Sequence, residues 1–446
     1  MYNNTNLKEL VISSTIKTIN SNAFYGCSNI IRIKDLRRSP SRTNLPTSNI
    51  GCEYITTGTY ANSLQTEGNY ITYTVGDKKY LYGLLNNTIT EINDLETYNI
   101  TAIFPYALYN NTQLQSITIP SSITSIGEYA FYGCKSLTSI ELPNSLKSIG
   151  NYAFSYSGLT SVEIPGSLSS VNSAFRYCEN LKTVKILEGV KSIGSNAFEG
   201  SASLEKVYLP NGLTVINMYA FDSCANLKYV NIPSTVTDID FYGFGYCTRI
   251  EVVEIDSLES WLNISFDTRQ SNPLDHSDNA LLYLNGQAIT EIDIPETITE
   301  IKNYAFVGYE HLKRINLHDN ITSIGEYAFD ETGISSIRIP RYVEVLSCSS
   351  LRSCRNLLEI YMPKSITTIE GYTIYEGAAL KALYYEGTEE DYKNIKIGTP
   401  NNNLSTVIIY NYGWKLSRVT TPATCTNEGF GIYRNTVWGD VKQDTI

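Results

Sequence analysis

From Leu114 onward the chain alternates short apolar pairs with polar turns in a fixed order. Ile117 and Ile119 stand two apart and Pro120 follows. Ile123 and Ile126 come next, and Gly127, Ala130, Phe131 and Cys134 close the unit. The stretch after it repeats the order with Leu137, Ile140, Leu142, Pro143, Leu146, Ile149, Gly150, Ala153 and Phe154. An apolar residue at every second position predicts a short strand with both side chains on one face. Proline has no amide to give to a ladder, so it ends that strand. The Ile-Thr-x-Ile stretch turns the next corner with two more inward residues. Gly127, Gly150, Gly194 and Gly325 are expected where the backbone takes a positive φ or comes close to a neighbour. The Ala-Phe pair predicts a filled interior in which Phe131, Phe154, Phe175, Phe198, Phe221, Phe244, Phe306 and Phe329 stack as one column.

Units open at Leu114, Leu137, Leu159, Leu181, Leu204, Leu227 and Ile250, then near Ile289 and at Leu312, Ile334, Leu357 and Leu380. Apart from the interruption between Ile250 and Ile289, successive starts lie 22 or 23 residues apart. An earlier copy runs from Leu7 to Cys27. This period falls in the leucine-rich-repeat range. One unit cannot bury its apolar face alone, but neighbours stacked on it can. The expected fold is a leucine-rich-repeat solenoid of 22–23-residue coils, β-rich with short strands and turns, with two β-containing insertions and a C-terminal cap.

The expected organisation is a repeat fragment over 1–36, an insertion over 37–90, repeats over 91–255 and a second insertion over 256–288. Repeats resume over 289–385, a cap covers 386–412, and a tail over 413–446 starts a further module. The first insertion reads as a β-meander, with Tyr70–Val75 and Lys79–Leu85 around a Gly76-Asp77 turn. The second carries Trp261, Phe266 and an Asn285-Gly286 hairpin signal. Both are read as excursions from a continuous stack. They re-enter it alike, through Thr88-Ile89-Thr90-Glu91-Ile92 and Ala288-Ile289-Thr290-Glu291-Ile292. No capping stretch precedes the first Leu, which is read as the mark of a piece of something longer.

Composition narrows the function. The 446 residues are 42% hydrophobic, with 35 tyrosines against 13 phenylalanines, a mix that favours strands. The formal net charge is -11 and no Lys/Arg-rich tract offers a footprint for phosphate, which argues against nucleic acid and anionic membrane. No apolar run of about 18 residues is present, so no membrane span is expected. Met1-Tyr2-Asn3-Asn4 leads directly into patterned sequence, without a signal peptide. That is the start of either a cytosolic protein or a fragment of a longer precursor.

The chemistry-bearing residues point away from catalysis. Six of nine cysteines (Cys27, Cys134, Cys178, Cys224, Cys247 and Cys354) occupy one repeat position, as expected of a small buried core residue. Cys348 and Cys354 are close enough in sequence for a pairing to stay open. No C-x-x-C pair marks a zinc site. His276, His311 and His318 are read as surface residues. Glu389-Glu390-Asp391 lacks the spaced oxygen ligands of a calcium loop and is read as a solvated turn. No metal, cofactor or catalytic residue is expected.

The pattern L-x-x-I-x-I-P-x-x-I-T-x-I-G-x-x-A-F-x-x-C closely resembles the BspA-like (Treponema pallidum type) leucine-rich repeats and covers about two-thirds of the chain. Two stretches resemble segments that accompany these repeats in bacterial surface proteins. One is Ser260–Phe266 with Ser271–Leu274 and Leu282–Gly286, and the other is Gly387–Glu390 with Ile395–Gly398. Ala423–Gly429 resembles the start of a short module found in such proteins. The resemblance implies a bacterial protein, secreted or on the cell surface, that adheres to host or microbial proteins or glycans. Leu187, Asp256 and His318 stand where proline is usual, and Leu346-Ser347-Cys348 departs from the I-G-x-x-A-F stretch.

The residues between the inward pairs point outward and carry the candidate ligand-binding face: Lys206, Tyr208, Tyr229, Asn231, Arg314, Arg338, Tyr361 and Tyr384. Tyrosine and arginine dominate interface hot spots, because they bring contact area or bidentate bonding at modest entropy cost. The expected function is extracellular binding by an adhesin-like monomer. The alternatives are a structural spacer within a longer surface protein, or an enzyme with a site in one of the insertions.

Overall fold

The computed structural model describes residues 64–401 apart from 76, 276, 278 and 377–379. It also describes residues 404 and 408–410 and the strands Glu9–Ile12, Arg32–Asp35, Glu53–Thr56, Trp414–Thr421, Phe430–Asn435 and Val441–Thr445. Two compact units divide the chain, residues 1–228 with 243–247, and residues 229–242 with 248–446.

In the first unit most described coils lay down two parallel strands, and the coil opening at Leu137 has one, Ser148–Ile149. Ser161–Ile164, Thr183–Ile186 and Lys206–Tyr208 line up in one sheet, with Ser161 opposite Thr183 and Thr183 opposite Lys206. Two-residue strands such as Ser192–Ile193 and Val215–Ile216 form a second sheet. Alternation sends Val162, Ile164, Val184, Ile186, Val207 and Leu209 inward, all at most 5% exposed.

A turn column completes the coil. In the parallel strands both coils donate, Gly150 N–H for example to the Ile126 carbonyl at 2.9 Å. In the turns the earlier coil donates: Tyr129, Phe131 and Gly133 N–H reach the carbonyls of Asn151, Ala153 and Ser155 at 3.0, 2.7 and 2.9 Å. Left-handed residues on this stretch, Tyr129 at φ 56° and Gly133 at 68°, turn successive amides to the same side. Gly127 has ordinary φ. A Cβ there would lie 2.3 Å from the Pro105 nitrogen, so close approach, not positive φ, requires glycine. The positive φ falls two residues later, on tyrosine.

Behind the turns run the inward phenylalanines. Phe131, Phe154, Phe175, Phe198 and Phe221 are fully buried, and Phe244 is 3% exposed. Their rings stack at 4.9 to 5.5 Å within 13° of parallel. In the second unit Phe306 and Phe329 stack at 5.8 Å, and Leu351 and Ile374 take the equivalent buried places.

The described cysteines of the repeat position explain themselves by a hydrogen bond. The Sγ atoms of Cys178, Cys224, Cys247 and Cys354 donate to the carbonyls of Phe154, Phe198, Phe221 and Phe329, and Cys134 to that of Leu108. Where the sequence has Ser201 instead, its hydroxyl donates to the Phe175 carbonyl at 3.2 Å. The site asks for a small side chain carrying one donor. Cys27 lies outside the described residues.

The interruptions are woven into the ladders rather than looped out from them. Leu64–Glu67, Tyr70–Val75 and Lys78–Leu84 form an antiparallel meander whose last strand pairs in parallel with Ala102–Ile103; Gly76 lies outside the described residues. In the second unit Ser265–Phe266 pairs with Asp238–Ile239, and Leu281–Leu284 with Val252–Ile255. The stretch 256–288 is thus a long coil carrying a helix, Leu258–Leu262, and a hairpin at Asn285-Gly286 with both φ positive. The stretch 386–412 likewise pairs Lys396–Ile397 with Thr368–Ile369 and Ile408–Ile409 with Ala382–Tyr385. Its acidic run is no loose turn: Thr388 caps the helix Glu389–Lys393 in a reciprocal box with Asp391, and the carboxylates sit at the positive end of the helix. The tail strands pair antiparallel among themselves.

Burial raises every described thiol of this column, Cys134, Cys178 and Cys354 to about 12. Thiolate chemistry is therefore suppressed at neutral pH. Cys348, a free thiol and only partly buried, forms no disulfide with Cys354. Labelling the native protein with iodoacetamide, mapped by mass spectrometry, is expected to modify Cys348 and spare Cys134, Cys178, Cys224, Cys247 and Cys354 until denaturant is added.

Candidate functional site

The outward positions of the first sheet form rows, because parallel strands in register place equivalent residues side by side. In the first unit Glu163, Lys185 and Tyr208 form one row and Ser161, Thr183 and Lys206 another. Lys185 reaches the Glu163 carboxylate at 3.1 Å, with both side chains 55% exposed. Tyr208 and Lys206 are exposed. In the second unit Tyr229 precedes Val252, and Asn231 precedes Glu254 and Tyr283. The Tyr229 hydroxyl donates to Glu254 Oε2 at 2.6 Å.

Farther along the second unit Arg338, Tyr361, Tyr384 and Ile409 share one row. Tyr361 and Tyr384 stack with ring centres 4.8 Å apart and planes 10° apart, both half-buried. Their hydroxyls donate to the two oxygens of Glu359, at 2.7 and 3.4 Å. Arg314, on a separate two-stranded sheet, binds Glu291 at 3.0 Å and Asp293 at 2.9 Å. Arg338 grips both oxygens of Asp319, at 2.8 and 3.0 Å. Both arginines are thus neutralised within the chain. Among the sequence candidates Arg338, Tyr361 and Tyr384 fall in one row.

Many of the described tyrosines lie on the turn column, which strand propensity does not reveal. Tyr106, Tyr129 and Tyr152 take φ of 64°, 56° and 58° and stack at 5.0 Å. Beside them Tyr109, Tyr132, Tyr156 and Tyr177 form a second column at 5.0 to 5.2 Å, with Arg176 over the Tyr177 ring. Burial and the neighbouring phenols raise Tyr109 and Tyr129 to about 12. Ring stacking, worth about 0.5–1.5 kcal/mol per pair, offsets the cost of left-handed backbone. The signal was in the chain: Tyr129 and Tyr152 stand just before Ala-Phe, one period apart.

The second unit also holds an ion cluster. Asp330, whose side chain is wholly buried, receives Arg352 at 2.9 and 2.6 Å and Arg269 at 3.3 Å. Arg269 further binds Asp275 at 2.6 Å and Glu331 at 3.0 Å, tying the long coil 256–288 to the coils after it. Burial pushes the Asp330 carboxyl up and Arg352 opposes that shift. His318 also differs from expectation. Its side chain is 13% exposed, and Nε2 lies 2.8 Å from the Pro295 carbonyl. His276 lies outside the described residues. Among the described residues no group of three or more His, Cys, Asp or Glu is placed to hold a metal ion, and no helix is long and apolar enough to cross a membrane.

Parallel coils of 22–23 residues, two strand columns and a turn column define a leucine-rich-repeat protein. The model of the BspA type leucine-rich-repeat region matches residues 1–95, 101–173, 171–272 and 280–396, and the chain belongs to that family. No curated protein sequence matches it. A leucine-rich-repeat protein of Bacteroides ovatus is similar in fold, with TM-score 0.52 and 23% identity over 79% of this chain and 97% of that one. A leucine-rich cell-surface protein of Faecalibacterium prausnitzii matches at TM-score 0.43 and 24% identity, over 76% of this chain and 99% of that one. The Treponema pallidum leucine-rich-repeat protein matches at TM-score 0.34 and 28% identity, over 37% and 80%.

Removing one partner of a buried ion pair leaves an uncompensated charge and costs about 3–5 kcal/mol. Arg352→Leu is expected to lose stability of that order in urea unfolding, and Arg352→Leu with Asp330→Asn to recover much of it. Equal losses in the two variants would show that Arg352 contributes packing rather than charge.

Proposed function

We propose that the chain is an extracellular or cell-surface binding protein, adhesin-like, that offers the outward face of its strand columns to a protein or glycan on a host or microbial surface. The observation that carries this reading is the row Arg338–Tyr361–Tyr384. Two stacked, half-exposed phenols stand on strands whose inward residues, Ile360, Met362, Leu383 and Tyr385, are at most 1% exposed. A rigid backbone fixes these side chains before a ligand arrives, so little entropy is lost on binding. Membership of a repeat family built for interaction supports a binding role, and the similar F. prausnitzii protein is described as a cell-surface protein. The chain's scaffold supplies shape and the outward residues supply chemistry; no catalytic step enters this reading.

The test is binding of the purified chain to an array of extracellular-matrix proteins, mucins and glycans. A ligand found there is expected to lose about tenfold or more in affinity with Tyr361→Ala or Tyr384→Ala, the scale of an aromatic hot spot. Arg314→Ala is expected to change affinity little, because its guanidinium is held by Glu291 and Asp293. Full affinity in both tyrosine variants would place the ligand elsewhere.

A further inference from the structure

In the second strand column of the second unit, the junction of Ser265–Phe266 with Glu300–Ile301 lacks ladder pairing altogether, whereas Ser323–Ile324 and Val345–Leu346 keep the single pair Ile324 with Leu346. At the regular junctions two amides of the later coil donate to two carbonyls of the earlier one. Thr322 and Gly325 donate to Thr299 and Ile301 at 2.8 Å each, and Lys396 and Gly398 to Thr367 and Ile369 at 2.9 and 2.7 Å. Ser265 and Asp267 bond in the same way to Thr237 and Ile239. The next strand in that column is Glu300–Ile301, yet it belongs to a different sheet from Ser265–Phe266. By position in the repeat, Thr299 and Lys302 should donate to the carbonyls of Ile264 and Phe266; neither bond forms.

Side chains hold this junction instead. The Trp261 indole donates to the Ala305 carbonyl at 3.1 Å, and the Asn272 amide to the Tyr304 carbonyl at 2.8 Å. The Lys302 ammonium extends back to the Asn263 carbonyl at 2.7 Å, and the Thr297 hydroxyl to Glu259 at 2.9 Å. Trp261 and Asn272 pin the turn side, while Lys302 and Thr297 tie the ends of the strand side and leave the ladder groups between them unbonded. A cleft of about 380 Å³ lies there, lined among others by Ser265, Phe266, Glu300, Ile301, Lys302 and Ser323. That volume is in the range of ligand-binding clefts, about 300–1,000 Å³.

We propose that this cleft binds an extended peptide as an added β-strand, parallel to its two walls. One wall offers carbonyls, those of Ile264 and Phe266, and the other offers amides, those of Thr299 and Lys302. An extended backbone carries both complements on its two edges. Recognition of this kind rests on main-chain hydrogen bonds and tolerates many sequences. The small, polar rim of Ser265 and Ser323 leaves the walls accessible. Such a peptide takes the ladder position that the long coil 256–288 leaves unfilled.

The probe is a fluorescein-labelled peptide Ile-Thr-Ser-Ile-Gly, the sequence of residues 123–127, which forms a rung of this ladder elsewhere in the chain. Its Thr and Gly amides are the ones that donate there, to Thr101 and Ile103. Anisotropy titration of the full chain is expected to show saturable binding. The same peptide N-methylated at Thr and Gly is expected to bind about tenfold weaker or more, through loss of two backbone donors. Ser323→Trp, on the exposed rim, is expected to block binding while circular dichroism stays unchanged. Hydrogen exchange should slow at residues 299–302 on peptide addition. No saturable binding, equal binding of the N-methylated peptide, or protection confined to other segments would overturn the proposal.

Discussion

A coil of 22 or 23 residues has too little apolar surface to hold itself closed, and every other feature follows from the need to cover it with a neighbour. Covering works only if inward residues of successive coils coincide, so backbone bonds, ring stacks and thiol donors all repeat at one period. Phe131 to Phe244 stack because their coils are in register. The cysteine position follows from the same register, since each thiol needs a carbonyl of the coil before it. Left-handed Tyr106 and Tyr129 are each covered in the turns by a ring of the next coil, that of Tyr129 and that of Tyr152.

Register also explains what happens where the sequence departs from the period. A longer coil moves backbone groups away from their partners, and buried backbone groups are costly to leave unpaired. Trp261, Asn272 and Lys302 take over part of that bonding, while Arg269 and Arg352 bind the same coil through Asp330. The outward positions carry none of these duties. That freedom makes Tyr361 and Tyr384 available for the recognition role proposed for them, and lets Arg314 and Arg338 settle their charge on nearby carboxylates without disturbing the stack.

The inward column was legible in the sequence because apolar residues, glycine and cysteine recur at fixed spacing, and the outward rows follow from alternation. Long-range pairing left no such mark. Nothing local in Lys78–Leu84 says that it joins Ala102–Ile103, or in Leu281–Leu284 that it extends the sheet of Val252–Ile255. Tyrosine was read as a strand former, although its fixed place before Ala-Phe pointed to the turn. Glycine requires close approach at Gly127 and Gly325, where a Cβ would meet backbone at 2.3 and 2.5 Å. Arg314 pairs with Glu291 one period back, which counting along the chain could have found; Arg338 pairs with Asp319 nineteen residues back, off the period and hidden from it.

The most direct test of an in-register stack is a disulfide between outward residues of adjacent coils. Glu163 and Lys185 face each other, and neighbouring strands about 4.8 Å apart lie within the Cα separation a disulfide spans. With both changed to cysteine, mild oxidation is expected to join them, with digestion and mass spectrometry identifying the linked peptides. The pair Glu163→Cys with Ile186→Cys, one residue off and facing opposite sides, is expected to stay reduced. Cross-linking of the offset pair in preference to the facing pair would contradict the register on which the whole account depends.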